Sequence, residues 1–134
     1  MEHCVLLLKT DGTIQEIVLN YEELKTYLPY DRIGSAPLFG TSPYTLGYLF
    51  GSPEETVYEP INPWMTRIVH AMRIPSALWI ITPARIKGDC ILFSYIGNLT
   101  KKDWIGVLGR LEYLESCGPP QTALLKEITP YEKN

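Results

Sequence analysis

The chain has only two histidines, His3 and His70, and its three cysteines, Cys4, Cys90 and Cys117, are an odd number with no C-x-x-C pair among them. That spacing supplies neither a disulfide framework nor the paired ligands of a structural zinc site, so no metal and no cofactor is expected and the compartment is read as reducing. Long hydrophobic runs are missing too. The apolar residues 4–8 end at Lys9, too short for the apolar region of a signal peptide, and nothing approaches the roughly 20 apolar residues of a membrane span. The expectation is an intracellular protein with no membrane partner. A net charge of −3 is small, so there is no general attraction to nucleic acid, and only local basic clusters can argue for it. A phosphate-binding loop is absent as well, because "GTSPYTLG" is not followed by Lys-Ser or Lys-Thr and opens no helical pattern.

The residues that are present suit a single globular domain covering 1–134, with 46% hydrophobic and 20% charged content. "CVLLLKTDGTIQEIVL" reads as two strands joined through Asp11-Gly12, a dipeptide that tolerates the positive φ angles of a tight hairpin turn. "NYEELKTYLP" reads as a short helix, with Asn20 as N-cap, Tyr21, Leu24, Tyr27 and Leu28 at helical spacing, and Pro29 as its end. From about 29 to 63, recurrent proline and glycine make an irregular segment, yet "APLFG", "YTLGYLFG" and "TVYEP" keep the composition of short strands.

Asn62 and Pro63 then form a helix start, the first as N-cap and the second with its φ already set. At 100° per residue, Trp64, Met65, Ile68, Val69, Ala71 and Met72 face a core, and Thr66, Arg67, His70 and Arg73 face away from it. "ALWIITP" and "DCILFSYIG" are continuous apolar runs suited to central strands buried on both faces. Thr100 and Asp103 approximate a capping box for a helix from about Lys101 to Ser116, closed by Gly118, Pro119 and Pro120 and followed by a surface-wrapping tail at about 119–134. The fold class is α+β: an opening β-hairpin, a mixed or mainly antiparallel sheet, and about three helices.

The opening hairpin, the "NPWMTRIV" helix start and the "KGD" turn leading into "CILFSYIG" together resemble a family of small uncharacterised α+β proteins carried by phages, mobile elements and large DNA viruses, over roughly residues 5–96. The resemblance implies a viral accessory or structural component, in the cytoplasm or within a virion. It carries over no functional residue, because that family has no settled activity.

Three constellations remain. Cys90 with His3 or His70 could form a nucleophile and base, but a cysteine opening an apolar strand is expected to be a small hydrophobe with a raised pKa, so no catalytic residue is assigned. Arg67, His70 and Arg73 on one helix, and Arg85, Lys87, Lys101 and Lys102 beside Trp104, are weak candidates for anion or nucleic-acid contact, with Asp89 and Asp103 interrupting the second group. In the last helix, Trp104, Val107, Leu108, Leu111 and Leu114 make the apolar stripe. Ile105, Gly106, Gly109 and Tyr113 lie outside it. Each glycine there costs roughly 1 kcal/mol relative to alanine, which calls for a close approach by this chain itself or by a partner. The expected function is a non-enzymatic protein-interaction domain that docks a protein partner or self-associates. The alternative is a small enzyme or a nucleotide- or nucleic-acid-handling protein with its site between the Pro-rich segment and the central strands.

Overall fold

The structure is a computed structural model that describes residues 2–36, 39, 46–73 and 85–116. The strand expected at 77–83, Cys117 and the tail expected at 119–134 lie outside the described residues. In chain order the elements are β1 (His3–Leu8), β2 (Ile14–Leu19), one 3-10 turn (Tyr21–Glu23) running into α1 (Leu24–Tyr27), β3 (Arg32–Ala36), β4 (Leu46–Phe50), α2 (Pro63–Arg73), β5 (Cys90–Ser94) and α3 (Lys101–Ser116). The strands form one sheet in the order β2-β1-β5-β4-β3, antiparallel at every pairing. An α+β fold with an opening hairpin is therefore present.

Burial explains the order. β1 and β5 are the most continuously apolar strands, and they take the positions where both faces are covered. On one face Leu6, Leu8, Cys90 and Leu92 pack with Met65, Ile68 and Val69 of α2 and with Trp104, Val107 and Leu111 of α3. On the other, Val5, Leu7, Ile91 and Phe93 pack with Leu19, Leu24 and Leu49.

The hairpin turns differently from the two-residue Asp-Gly expectation. Lys9 N–H donates to the Thr13 carbonyl at 2.9 Å, leaving a three-residue loop in which Gly12 alone has a positive φ, +89°. Asp11 keeps a negative φ and uses its carboxylate to accept the Thr13 N–H at 2.8 Å. The first short helix also departs from its expected wheel. Its opening turn winds as 3-10, about 120° per residue, which shifts the phase and leaves Tyr27 45% exposed.

In the Pro-rich segment β3 ends at Ala36, the first residue of the expected "APLFG" strand, and residues 37, 38 and 40 of that stretch lie outside the described residues. β3 includes Gly34, over which the Tyr48 ring lies so closely that a Cβ would collide with it. "TVYEP" is a turn, not a strand. Ser52 and Glu55 cap each other there, Ser52 N–H donating to Glu55 Oε1 at 2.9 Å and Glu55 N–H to Ser52 Oγ at 3.2 Å.

Asn62 and Pro63 open α2 as expected, and Asn62 does more than cap it. Its Oδ1 accepts the Met65 N–H at 3.0 Å, while its Nδ2 donates to the carbonyls of Leu8 at 2.7 Å and Gly88 at 3.0 Å. The residue is fully buried. Met65, Ile68, Val69 and Ala71 face the core as the wheel requires. His70, expected on the side away from the core, is half-buried and engaged within the protein.

Replacing Asn62 with Ala leaves two carbonyls and one helix N–H without their buried partner. Asn62→Ala is expected to lose about 3 kcal/mol or more of unfolding free energy, read from the urea midpoint at unchanged slope. A loss below about 1 kcal/mol would contradict the bonding described here.

Candidate docking surface

α3 begins at a closed capping box. Thr100 N–H donates to Asp103 Oδ2 at 2.9 Å and Asp103 N–H to Thr100 Oγ1 at 3.2 Å. Lys101 N–H donates to Glu16 Oε1 of β2 at 2.5 Å, a second carboxylate at the positive end of the helix. The inward side is then fixed by contacts with α2. Trp104 meets Trp64 edge-on at 5.3 Å between centroids, and Arg67 reaches across to Glu115 at 2.7 Å and 3.2 Å.

With that side committed, the opposite side of α3 carries Lys102, Ile105, Gly106, Gly109 and Tyr113. Ile105 is 72% exposed and Tyr113 54% exposed. A Cβ placed at either Gly106 or Gly109 would meet nothing within 4 Å. Among the described residues, then, no part of the chain makes the close approach that these glycines permit. The Arg110 guanidinium lies 5.2 Å over the Tyr113 ring and borders the same face.

A cavity of about 970 Å³ opens beside this face. Phe39, Leu46 and Val107 give it apolar walls, Lys102 and Arg110 bring positive charge, and Gly106 belongs to both the cavity and the helix face. Two further polar residues of its lining are already used by the fold. Asn98 accepts the Cys4 N–H at 2.8 Å through Oδ1, and Asp103 closes the capping box. Sequence reasoning missed the cavity, because Phe39 and Leu46 are far from α3 in the chain and no local spacing announces that meeting.

The basic candidates are dispersed. Arg67 is held by Glu115, whose hydrogen bond raises the guanidinium pKa further, and its plane lies 5.1 Å from the Trp64 centroid. His70 lies on the same helix, half-buried; the side chain of Arg73 lies outside the described residues. Arg85 and Lys87 precede β5, whereas Lys101 and Lys102 follow its far end, so a five-residue strand of about 16 Å separates the two pairs. Trp104, the aromatic expected among them, is buried against Trp64.

Neither described thiol is activated. Cys90 is completely buried, and burial followed by the neighbouring Asp89 pushes its pKa up to about 12. Cys4 is raised by burial first and then by Glu16 and Asp103. The His3 ring lies 4.8 Å from the Tyr21 ring between centroids, tilted by 39°. Among the described residues no group of three or more His, Cys, Asp or Glu side chains could hold a metal ion, and no helix is long and apolar enough to cross a membrane.

No family model, no curated protein and no solved structure matches the chain. Its own surface has to supply the functional reading.

The Cys90 thiol gives a pH test of the core. Its folded pKa lies above the ordinary 9.0, so the associated stability is fully present below about pH 9 and is lost as pH rises toward about 12, because the unfolded chain ionises first. Over that window the wild type is expected to lose up to about 1.4 kcal/mol per pH unit more than Cys90→Ala, measured by urea unfolding across the alkaline range. Parallel pH curves for the two proteins would contradict the burial of the thiol.

Proposed function

We propose that this chain is a non-enzymatic docking module that binds a protein partner through the outer face of α3 and the adjoining cavity. The observation that carries the reading is the pair Gly106 and Gly109, open to space on the solvent side of a helix between exposed Ile105 and Tyr113. Alanine at each position would favour the helix by roughly 1 kcal/mol, and nothing among the described residues stands in the way of a methyl group. A partner seated against the helix backbone supplies the missing reason. Ile105 and Tyr113 then serve as the apolar and aromatic anchors typical of interface centres. The cavity accepts an apolar side chain of the partner, and Lys102 and Arg110 favour a carboxylate next to it.

The alternative expects a site between the Pro-rich segment and the central strands, whereas the cavity touches the Pro-rich segment only through Phe39 and Leu46 and is otherwise lined by Ser94, the chain after β5 and α3. An enzyme or nucleotide-handling protein needs convergent polar groups that are available there. The Asp103 carboxylate and the Asn98 Oδ1 are both occupied by backbone N–H groups, which favours docking over turnover.

Two pairs of variants test this. Gly106→Ala and Gly109→Ala are each expected to raise the thermal midpoint, by up to about 1 kcal/mol of stability, because the added methyl meets open space. Ile105→Asp and Gly106→Leu are expected to fold normally and to lose a protein that the wild type retains in affinity capture with mass spectrometry. Capture of the same proteins by wild type and both variants would overturn the proposal.

A further inference from the structure

Tyr58 is 96% exposed, the extreme among the described tyrosines, and it lies far along the chain from α3 in the segment "PEETVYEP". Its position is built. On its N-terminal side Thr56 is buried, its N–H and hydroxyl both donating to the Ser52 carbonyl at 3.1 Å and 2.9 Å. On its C-terminal side the Pro60 carbonyl accepts the Gly88 N–H at 2.9 Å and Ile61 bridges Lys87. Between these two anchors Val57, Tyr58 and Glu59 form a short arch with all three side chains exposed. Among the described residues Tyr58 has neither a hydrogen bond nor a ring contact, so the fold gains nothing from its ring.

Glu54, Glu55 and Glu59 flank it in the sequence, all exposed. A tyrosine that anchored a dry interface would bring these carboxylates into it, which is costly and runs against the scarcity of Glu at interface cores. An acidic frame around a presented phenol instead matches the charge patterns by which kinases select substrates. We propose that Tyr58 is a phosphoacceptor for a protein tyrosine kinase that selects acidic flanks. The phenolic oxygen attacks the γ-phosphorus of a nucleoside triphosphate and a new O–P bond forms. The bond from that phosphorus to the bridging oxygen breaks, the nucleoside diphosphate leaves with its electron pair, and the phenolic proton passes to the kinase's catalytic carboxylate. The product adds roughly −1.5 to −2 charge at pH 7 on a side chain that is 96% exposed, where an arginine cluster of a reader domain can take it.

The experiment uses the full chain with Mg-ATP and a tyrosine kinase selective for acidic-flanked tyrosines, with a peptide of residues 52–62 as a control for kinase activity, read by intact mass and fragment sequencing. The expected result is one phosphoryl group per chain, on Tyr58. Tyr58→Phe abolishes it with an unchanged thermal midpoint, and Glu54→Gln with Glu59→Gln slows it several-fold. Comparable incorporation at Tyr27, Tyr95 or Tyr113, or a modified peptide beside an unmodified chain, would overturn the proposal. So would failure of both chain and peptide with a kinase that is active on an unrelated acidic tyrosine substrate, or unchanged rates in the Glu54→Gln, Glu59→Gln variant.

Discussion

A buried asparagine side chain joins the sheet to its helical layer. Asn62 satisfies the Met65 N–H at the start of α2, the Leu8 carbonyl at the end of β1 and the Gly88 carbonyl ahead of β5, while its own N–H donates to Ile86 at 2.7 Å. Each of those groups would otherwise be a desolvated donor or acceptor in a place with no water to take it. Two neighbours extend the same seam. Trp64 Nε1 donates to the Gly12 carbonyl at the hairpin tip at 2.9 Å, and Thr66 Oγ1 accepts the Ile86 N–H at 3.0 Å. The start of α2 is thus fastened to two parts of the chain that lie far apart in sequence, the opening hairpin and the segment ahead of β5.

The orientation of α3 follows from that seam. Once α2 is seated, Trp64 offers an edge-on contact to Trp104 and Arg67 offers a fork to Glu115. The ion pair is partly exposed, so screening keeps its net worth to about 1 kcal/mol or less, and its effect is on register more than on stability. Burial of Trp104, Val107 and Leu111 does the energetic work of holding the helix down. Turning those residues inward necessarily turns Ile105, Gly106, Gly109 and Tyr113 outward. The proposed docking face is in this sense a consequence of how Asn62 places α2.

Local chemistry was legible from the residues. The Asn62-Pro63 start and the helix from Lys101 to Ser116 follow from capping groups within three residues of each other, and the central position of β5 follows from an unbroken apolar run. What depended on distant partners was not. β3 forms around Gly34 and Ser35, poor strand formers, because Tyr48 of the neighbouring strand lies across the glycine. "TVYEP" has strand composition, but Ser52 and Glu55 close a turn on it. The outward position of the two glycines could be read on the helical wheel. The cavity next to them could not, since it depends on where β4 brings Leu46.

The claim that the outer face of α3 is open in the isolated chain can be measured by NMR with a soluble paramagnetic probe in dilute solution. The structure predicts strong relaxation of the Ile105 methyls and of the Gly106 and Gly109 amides, comparable to that at Tyr58, with the methyls of Met65 and Ile68 shielded. If Ile105, Gly106 and Gly109 are as shielded as Met65, the chain already covers this face and it is not a docking surface.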